Sequence, residues 1–161
     1  MKSPTTESFW VVEKEVLAGK YPGAKFDRAA QTKVEALLAV GVRTFVDLTE
    51  DDELLPYAHL LSEDTAHLRV AVRDVTCPER DQVRAALDMI DAGLENGVVY
   101  VHCRGGCGRT GVIAGAYLVR HGEAPARALE RVHAFTRALW DKPCPETRAQ
   151  IAMVETWTKG E

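Results

Sequence analysis

The chain has 161 residues, 46% of them hydrophobic and 27% charged, which suits one compact soluble domain and excludes a disordered or collagen-like chain. With 20 basic residues against 24 acidic ones the net charge is −4, so no global basic field favours nucleic acid or an anionic membrane. The opening MKSPTTESFWVVEKEV lacks the apolar run of a signal peptide, and no segment stays apolar long enough to span a bilayer. The expected site of action is therefore the cytoplasm, with Cys77, Cys103, Cys107 and Cys144 as thiols rather than a disulfide frame.

Residues 1–8 are expected to form a flexible tail on a single domain that takes up the 1–161 chain. FWVVEKEVLAG is rich in β-branched and aromatic residues and predicts two short strands. KFDRAAQTKVEALLAVGV turns helical, with Ala30, Val34, Leu37 and Leu38 on one side and Gly41 placed to end the helix. RTFVDLT predicts a strand, DDELLPYAHLLSED an acidic loop with a short helix, and HLRVAV a further strand. PERDQVRAALDMIDAGLENG opens on proline and acids, spaces Val83, Leu87, Ile90 and Leu94 at helical intervals, and finishes on Asn96-Gly97. VVYV is a continuous apolar run, the pattern of a strand buried on both faces of a largely parallel sheet. Beyond Gly111, VIAGAYLVRHG predicts a buried helix, APARALERVHAFTRAL an amphipathic one through Leu129, Val132 and Phe135, and ETRAQIAMVETW a third. The alternation predicts an α/β fold, a single domain with a central, largely parallel sheet flanked by helices.

VHCRGGCGRTGV, between the VVYV strand and the next helix, concentrates the unusual chemistry. Gly106, Gly108 and Gly111 satisfy the dinucleotide pattern G-x-G-x-x-G, but no acidic residue closes a following strand, since Glu130 lies in a helical pattern. A nucleoside-triphosphate loop fails for want of a lysine. A zinc site on His102, Cys103 and Cys107 lacks a second ligand pair, so no metal or other cofactor is expected. Ordinary burial would account for Cys107 but gives no reason for Cys103 at a glycine-rich helix entrance with an arginine six residues on. An anion site accounts for all of them. Glycines let successive N–H groups turn inward, and the helix adds its positive end. The same field favours a thiolate at Cys103, and Arg109 can grip two phosphate oxygens.

HCRGGCGRT matches H-C-x-x-x-x-x-R-[ST], and here the chain resembles the cysteine-dependent protein tyrosine phosphatases and dual-specificity phosphatases, with their CX5R motif. An aspartate-bearing segment upstream and ETRAQ downstream are similar to the small atypical dual-specificity members, from Phe9 onward and most closely from Ala71 to Gly111. The resemblance implies a protein tyrosine phosphatase-like fold and a cofactor-free hydrolase of phosphomonoesters, acting on phosphotyrosine and on phosphoserine or phosphothreonine through a cysteinyl-phosphate. Cys103 would be the nucleophile, and the loop from Arg104 through Gly105, Gly106, Cys107 and Gly108 to Arg109 would hold the phosphate. Asp74 would be the general acid on a movable loop, with Pro78 like the proline that often follows it. Asp81 is the alternative acid, although its place suits the first turn of a helix. Thr110 would bond the cysteine sulfur, His102 would brace the loop, and Gln150 would align a water or else lie on the outer face of the last helix. Arg104 and Arg73 would favour multiply anionic substrates, a phosphorylated lipid headgroup included. Cys107 or Cys77 could close a protecting disulfide on Cys103 after oxidation. A phosphate-reading module without catalysis, a phosphoinositide phosphatase and a rhodanese-like sulfur transferase are the competing functions. The expected partner is a phosphorylated protein or another phosphomonoester, with no nucleic acid, no membrane span and a monomeric chain.

Overall fold

The VVYV run forms the first four residues of a strand, Val98–His102, in which every residue is buried. This is seen in a computed structural model that describes residues 2–161. Along the chain run β1 (Ser8–Val12), β2 (Val16–Gly19), α1 (Asp27–Ala39), β3 (Val42–Asp47), a 3-10 turn (Ala58–Leu60), β4 (Ala66–Arg69), α2 (Arg80–Gly93), β5 (Val98–His102), α3 (Gly108–Arg120), α4 (Pro125–Trp140) and α5 (Arg148–Glu155). The strands lie in the order β1-β2-β5-β3-β4, with β1 antiparallel to β2 and every other pair parallel. This is the α/β architecture expected from the sequence, and its one antiparallel edge comes from the FWVVEKEVLAG hairpin.

Strand alternation divides the core into two layers. Val99 and Val101 point with Val46 and Ala18 into the layer formed with α2, α3, α4 and α5. Val98 and Tyr100 point the other way, with Leu17 and Phe45, against Val34 and Leu37 of α1 and against Tyr57. Because β5 is covered on both sides, its VVYV run is apolar on both faces, which is why the sequence there does not alternate. α3 is buried from Arg109 to Val119, as expected of a helix that is apolar all round. It starts four residues earlier than Val112, taking the last glycines of the motif into its first turn.

The register levels the carboxyl ends of the central strands. Gly19 and Asp47 both pair with His102, and Arg69 pairs with Asp47. The loop after His102 thus leaves the sheet at its carboxyl edge, where open α/β sheets build their ligand sites. Among the described residues, no helix is long and apolar enough to cross a membrane.

At the amino end, Met1 lies outside the described residues. In place of a flexible tail running through residue 8, Ser8 is fully buried in β1, Glu7 pairs with Lys33 at 2.8 Å, and the Trp10 indole donates to the Lys2 carbonyl. Strand pairing of Ser8 with Gly19 anchors this segment.

Candidate active site

The motif forms a tight loop between β5 and α3. Gly106 has a φ of +71°, a left-handed conformation that glycine adopts without a Cβ clash. A Cβ there would also lie 2.6 Å from the Gly19 carbonyl carbon, because the loop is pressed against the end of β2. Tyr21 N–H donates to the Arg104 carbonyl at 3.2 Å and ties the loop to the segment after β2.

Cys103, Arg104, Gly105, Cys107, Gly108 and Arg109 line a cleft of about 310 Å³. Asp74 and Val75 form one rim, while Lys142, Glu146, Thr147 and Gln150 form the opposite wall. Cys103 is a free thiol, 3% exposed, at the carboxyl end of β5. Arg109 is 2% exposed, and its guanidinium is held from several directions. Nη1 donates to the carbonyls of Val72 at 2.7 Å and Leu48 at 3.3 Å. Nη1 and Nη2 also meet the two Glu53 carboxylate oxygens at 2.8 and 2.7 Å. Nη2 reaches Asp74 Oδ1 at 2.8 Å. Burial alone would lower the guanidinium pKa, yet it is raised, because Glu53, the Cys103 sulfur and Asp74 all favour the cation. Glu53 in turn is lowered, chiefly by its hydrogen bonds from Arg109, with burial opposing.

Asp74 lies past β4 on the rim of the cleft, and it accepts from the Val75 amide at 2.9 Å as well as from Arg109. Arg104 approaches it at 3.9 Å. Val75, 86% exposed, holds a φ of +63°, a conformation a β-branched residue rarely adopts. Asp81 is far out in solvent and pairs with Arg84 in the first turn of α2, and Arg73 is exposed and lines no part of the cleft.

His102 is fully buried. Its Nε2 shares a 2.6 Å hydrogen bond with the Tyr57 hydroxyl, and its Nδ1 faces Asp47 Oδ1 at 3.9 Å without a hydrogen-bond partner. Burial pushes its pKa down to about 4, with Asp47 pulling the other way, so the ring is neutral at pH 7. Asp47 is itself buried and held by Thr49, His67 and Arg69 at 2.6 to 3.0 Å. Burial opposes its ionisation, but these partners and His102 hold its carboxyl well below the usual carboxylate range. Thr110 is fully buried and its hydroxyl has no hydrogen-bond partner, so the expected bond to the cysteine sulfur is not formed here.

Gln150 is buried, not on the outer face of α5. Its Nε2 donates to the Thr76 carbonyl at 3.2 Å, and a Cβ on Gly108 would come within 2.6 Å of that nitrogen. The glycine therefore admits the amide against the loop.

Two expectations are corrected. Cys107 and Cys144 are not thiols but form a disulfide, their Cα atoms 5.0 Å apart. Cys107 is thus bonded to Cys144 and not to Cys103, which is free, as is Cys77. The cause is tertiary, since the segment between α4 and α5 packs on the first turn of α3, close enough that a Cβ on Gly111 would lie 2.7 Å from Pro145 N. Glu53, the bidentate partner of Arg109, was not singled out by sequence reasoning. Its only signal is the acidic run EDDE, which does not say which of its carboxylates turns inward.

The fold is shared with Tk-PTP in its active form, with a TM-score of 0.74 and 23% identity over 92% of this chain and 94% of that one. TpbA of P. aeruginosa in complex with pTyr gives 0.71 and 22% over 97% and 87%, and PTPMT1 in complex with PI(5)P gives 0.70 and 18% over 93% of both chains. Protein 197R of Invertebrate iridescent virus 6, a tyrosine phosphatase by name, is 27% identical over 135 residues, 78% of this chain and 48% of the relative. The Tyrosine-protein phosphatase CDC14 homolog of Schizosaccharomyces pombe is 42% identical over 53 residues, 33% of this chain and 10% of that one. The chain thus spans about half or less of the length of these curated relatives. The family model Tc-R-P, described as polymorphic toxin system, DSP-PTPase phosphatase, matches residues 20–123. With that match across most of the chain and the cysteine-arginine loop inside it, the chain belongs to this DSP-PTPase phosphatase family.

Proposed function

We propose that the chain hydrolyses phosphomonoesters, phosphotyrosine first among them, through a phosphorylated Cys103. The observation that carries this is the meeting of Asp74 with Arg109, at 2.8 Å, over a cleft that Cys103 also lines. The two come from segments far apart in the chain, and packing alone would not place a half-exposed carboxylate against the arginine of an anion loop.

Phosphate enters the loop with its oxygens on the amides of residues 104–109 and on the Arg109 guanidinium. Glu53 and two backbone carbonyls already fix that guanidinium, so it reaches the transition state without reorganising. Phosphate competes with Asp74 for Nη2, and its binding releases the carboxyl toward the leaving oxygen. The Cys103 thiolate attacks phosphorus in line, the bond to the leaving oxygen breaks, and protonated Asp74 gives that oxygen its proton. In the second step the same carboxylate takes a proton from water as the water attacks phosphorus and Cys103 departs. Gln150, at the cleft wall, is placed to orient that water. The buried Thr110 hydroxyl is available to the departing thiolate, and neutral His102 braces the loop through Tyr57 without acting as a base.

The exposed apolar Val75 beside Asp74 suits the flank of a phosphorylated aromatic ring, and TpbA with pTyr shows that this fold accepts that group. A second reading, a phosphoinositide, is favoured by Arg104 and Lys142 on the cleft, 60% and 49% exposed, and PTPMT1 binds PI(5)P on the same fold. In either reading the phosphorylated substrate is the partner. The test is p-nitrophenyl phosphate followed by a panel of phosphopeptides and phosphoinositides. Cys103→Ser should abolish turnover while retaining tungstate binding, and Asp74→Asn should slow poor leaving groups by roughly 10²–10⁴-fold. Full activity in Cys103→Ser would overturn the mechanism.

A further inference from the structure

We infer that the Cys107–Cys144 disulfide is a thiol-exchange modification site, at which a dithiol reductant weakens phosphate binding by releasing one wall of the cleft from the other. The inference rests on the proposed phosphate site, although not on its catalytic step.

The place of the bond carries it. Cys107 lies within the anion loop and immediately precedes α3, where its peptide belongs to the nest. Cys144 lies in the segment between α4 and α5 that supplies Lys142, Glu146 and Thr147 to the facing wall and leads into Gln150. Among the described residues this disulfide is the one covalent link between the two walls. Among the described residues, the segment's hydrogen bonds to its neighbours run from Asp141 N–H to the Arg137 carbonyl at 3.0 Å, from Cys144 N–H to the Thr136 hydroxyl at 2.9 Å and between His133 Nε2 and the Pro145 carbonyl at 3.2 Å. All three join it to α4, not to the loop. A purely structural staple would serve the domain at any pair of surface segments. Here the bond closes around the anion site, while the nucleophile Cys103 stays outside it as a free thiol. Oxidation at Cys107 therefore leaves the nucleophile intact.

The exchange balances without any further reagent. A dithiol thiolate attacks one sulfur of the bridge and expels the other, and the second dithiol sulfur then displaces the mixed disulfide. Two electrons and two protons pass from the dithiol to Cys107 and Cys144, and the reagent leaves as its own disulfide. Cys144 is fully buried and Cys107 is 7% exposed, so exchange requires the segment between α4 and α5 to move away from α3. An oxyanion held in the loop opposes that movement, and by linkage reduction and anion binding weaken each other.

The test uses the Cys103→Ser protein, so that oxidation of the nucleophile cannot contribute. Tungstate binding is measured by calorimetry before and after dithiothreitol, with alkylation and mass spectrometry reporting the state of Cys107 and Cys144. Reduction should weaken binding about tenfold, and saturating tungstate should shift the exchange equilibrium with dithiothreitol toward the disulfide by the same factor. Cys144→Ala in the same background should bind at the reduced level with or without dithiothreitol, while far-ultraviolet circular dichroism shows it folded. Unchanged affinity after both thiols are freed would overturn the inference, as would free thiols at 107 and 144 in protein equilibrated with oxidised glutathione. If the native chain hydrolyses no phosphoester but tungstate binding still responds to reduction, the catalytic reading fails and this inference stands.

Discussion

Arg109 shows how much of the site is decided by one buried side chain. A guanidinium 2% exposed is costly to hold unless its donors are filled, and Glu53, itself nearly buried, fills two of them with both oxygens. In the proposed mechanism that leaves Asp74 as the exchangeable partner, which a substrate phosphate would replace. Glu53→Gln keeps the shape but removes the charge and one acceptor. It should lower stability by about 2 kcal/mol, raise KM for p-nitrophenyl phosphate and draw Asp74 more firmly onto the arginine. Urea unfolding with steady-state kinetics checks this, and an unaltered KM in a less stable variant would reduce Glu53 to a purely structural role. The motif spells Cys103 and Arg109 locally, so their meeting at one cleft was readable in HCRGGCGRT. Glu53 was not, because four successive acids differ only in which of them the fold turns toward the arginine. The Cys107–Cys144 pair was hidden for a related reason, since the two cysteines are 37 positions apart with all of α3 and α4 between them.

At the scale of elements, the ends of β3 and β5 build the footing of the phosphate loop. The register sets Asp47 beside His102, and side chains from β4 and the 3-10 turn region close the network through His67, Arg69 and Tyr57. Strand type and burial were legible because VVYV is an apolar run of strand length and RTFVDLT is rich in β-branched and aromatic residues. The polar network was not, since Asp47 looks like any acid at the end of a strand until pairing lays it against His102. The network makes stability pH-dependent in a stated direction. His102 has a folded pKa of about 4 against an ordinary 6.5, so between those values the unfolded chain binds a proton that the folded one does not. Stability is full above pH 6.5 and declines as the pH falls to 4, by about 3 kcal/mol from this group. Asp47, lowered in the fold, adds a loss below the ordinary carboxylate range. Urea midpoints at several pH values should show a steeper decline from pH 6.5 to 4.5 in the native chain than in His102→Asn. Equal slopes would mean that the buried imidazole is not the group responsible.

On the scale of the whole molecule, the chain's last residues complete both the core and the cleft. α5 begins on the site with Thr147 capping its first turn and Gln150 lying against Gly108. Its far end delivers Val154 to a position where a Cβ on Gly115 would lie 2.9 Å from it, and the chain then buries Trp157 to 1% exposure with the Arg80 guanidinium 4.7 Å from the ring centroid. Glu161 folds back to pair with Arg80 and Arg84, and its backbone carbonyl accepts from Arg120. One amphipathic helix therefore converts core packing into the position of an amide at the anion loop. Trp157→Ala should remove about 3–5 kcal/mol, a large part of the 5–15 kcal/mol typical of such domains. At 2–4 °C per kcal/mol, the Tm should fall by roughly 10 °C. Because Trp157 is remote from the cleft, a local packing loss would leave turnover at low temperature untouched. Packing transmitted along α5 would instead shift Gln150 and slow hydrolysis of the cysteinyl-phosphate, so a burst of p-nitrophenol should appear before a depressed steady state. Measuring that burst at 10 °C, where the variant remains folded, separates the two, and a native-like steady state there would confine Trp157 to the core.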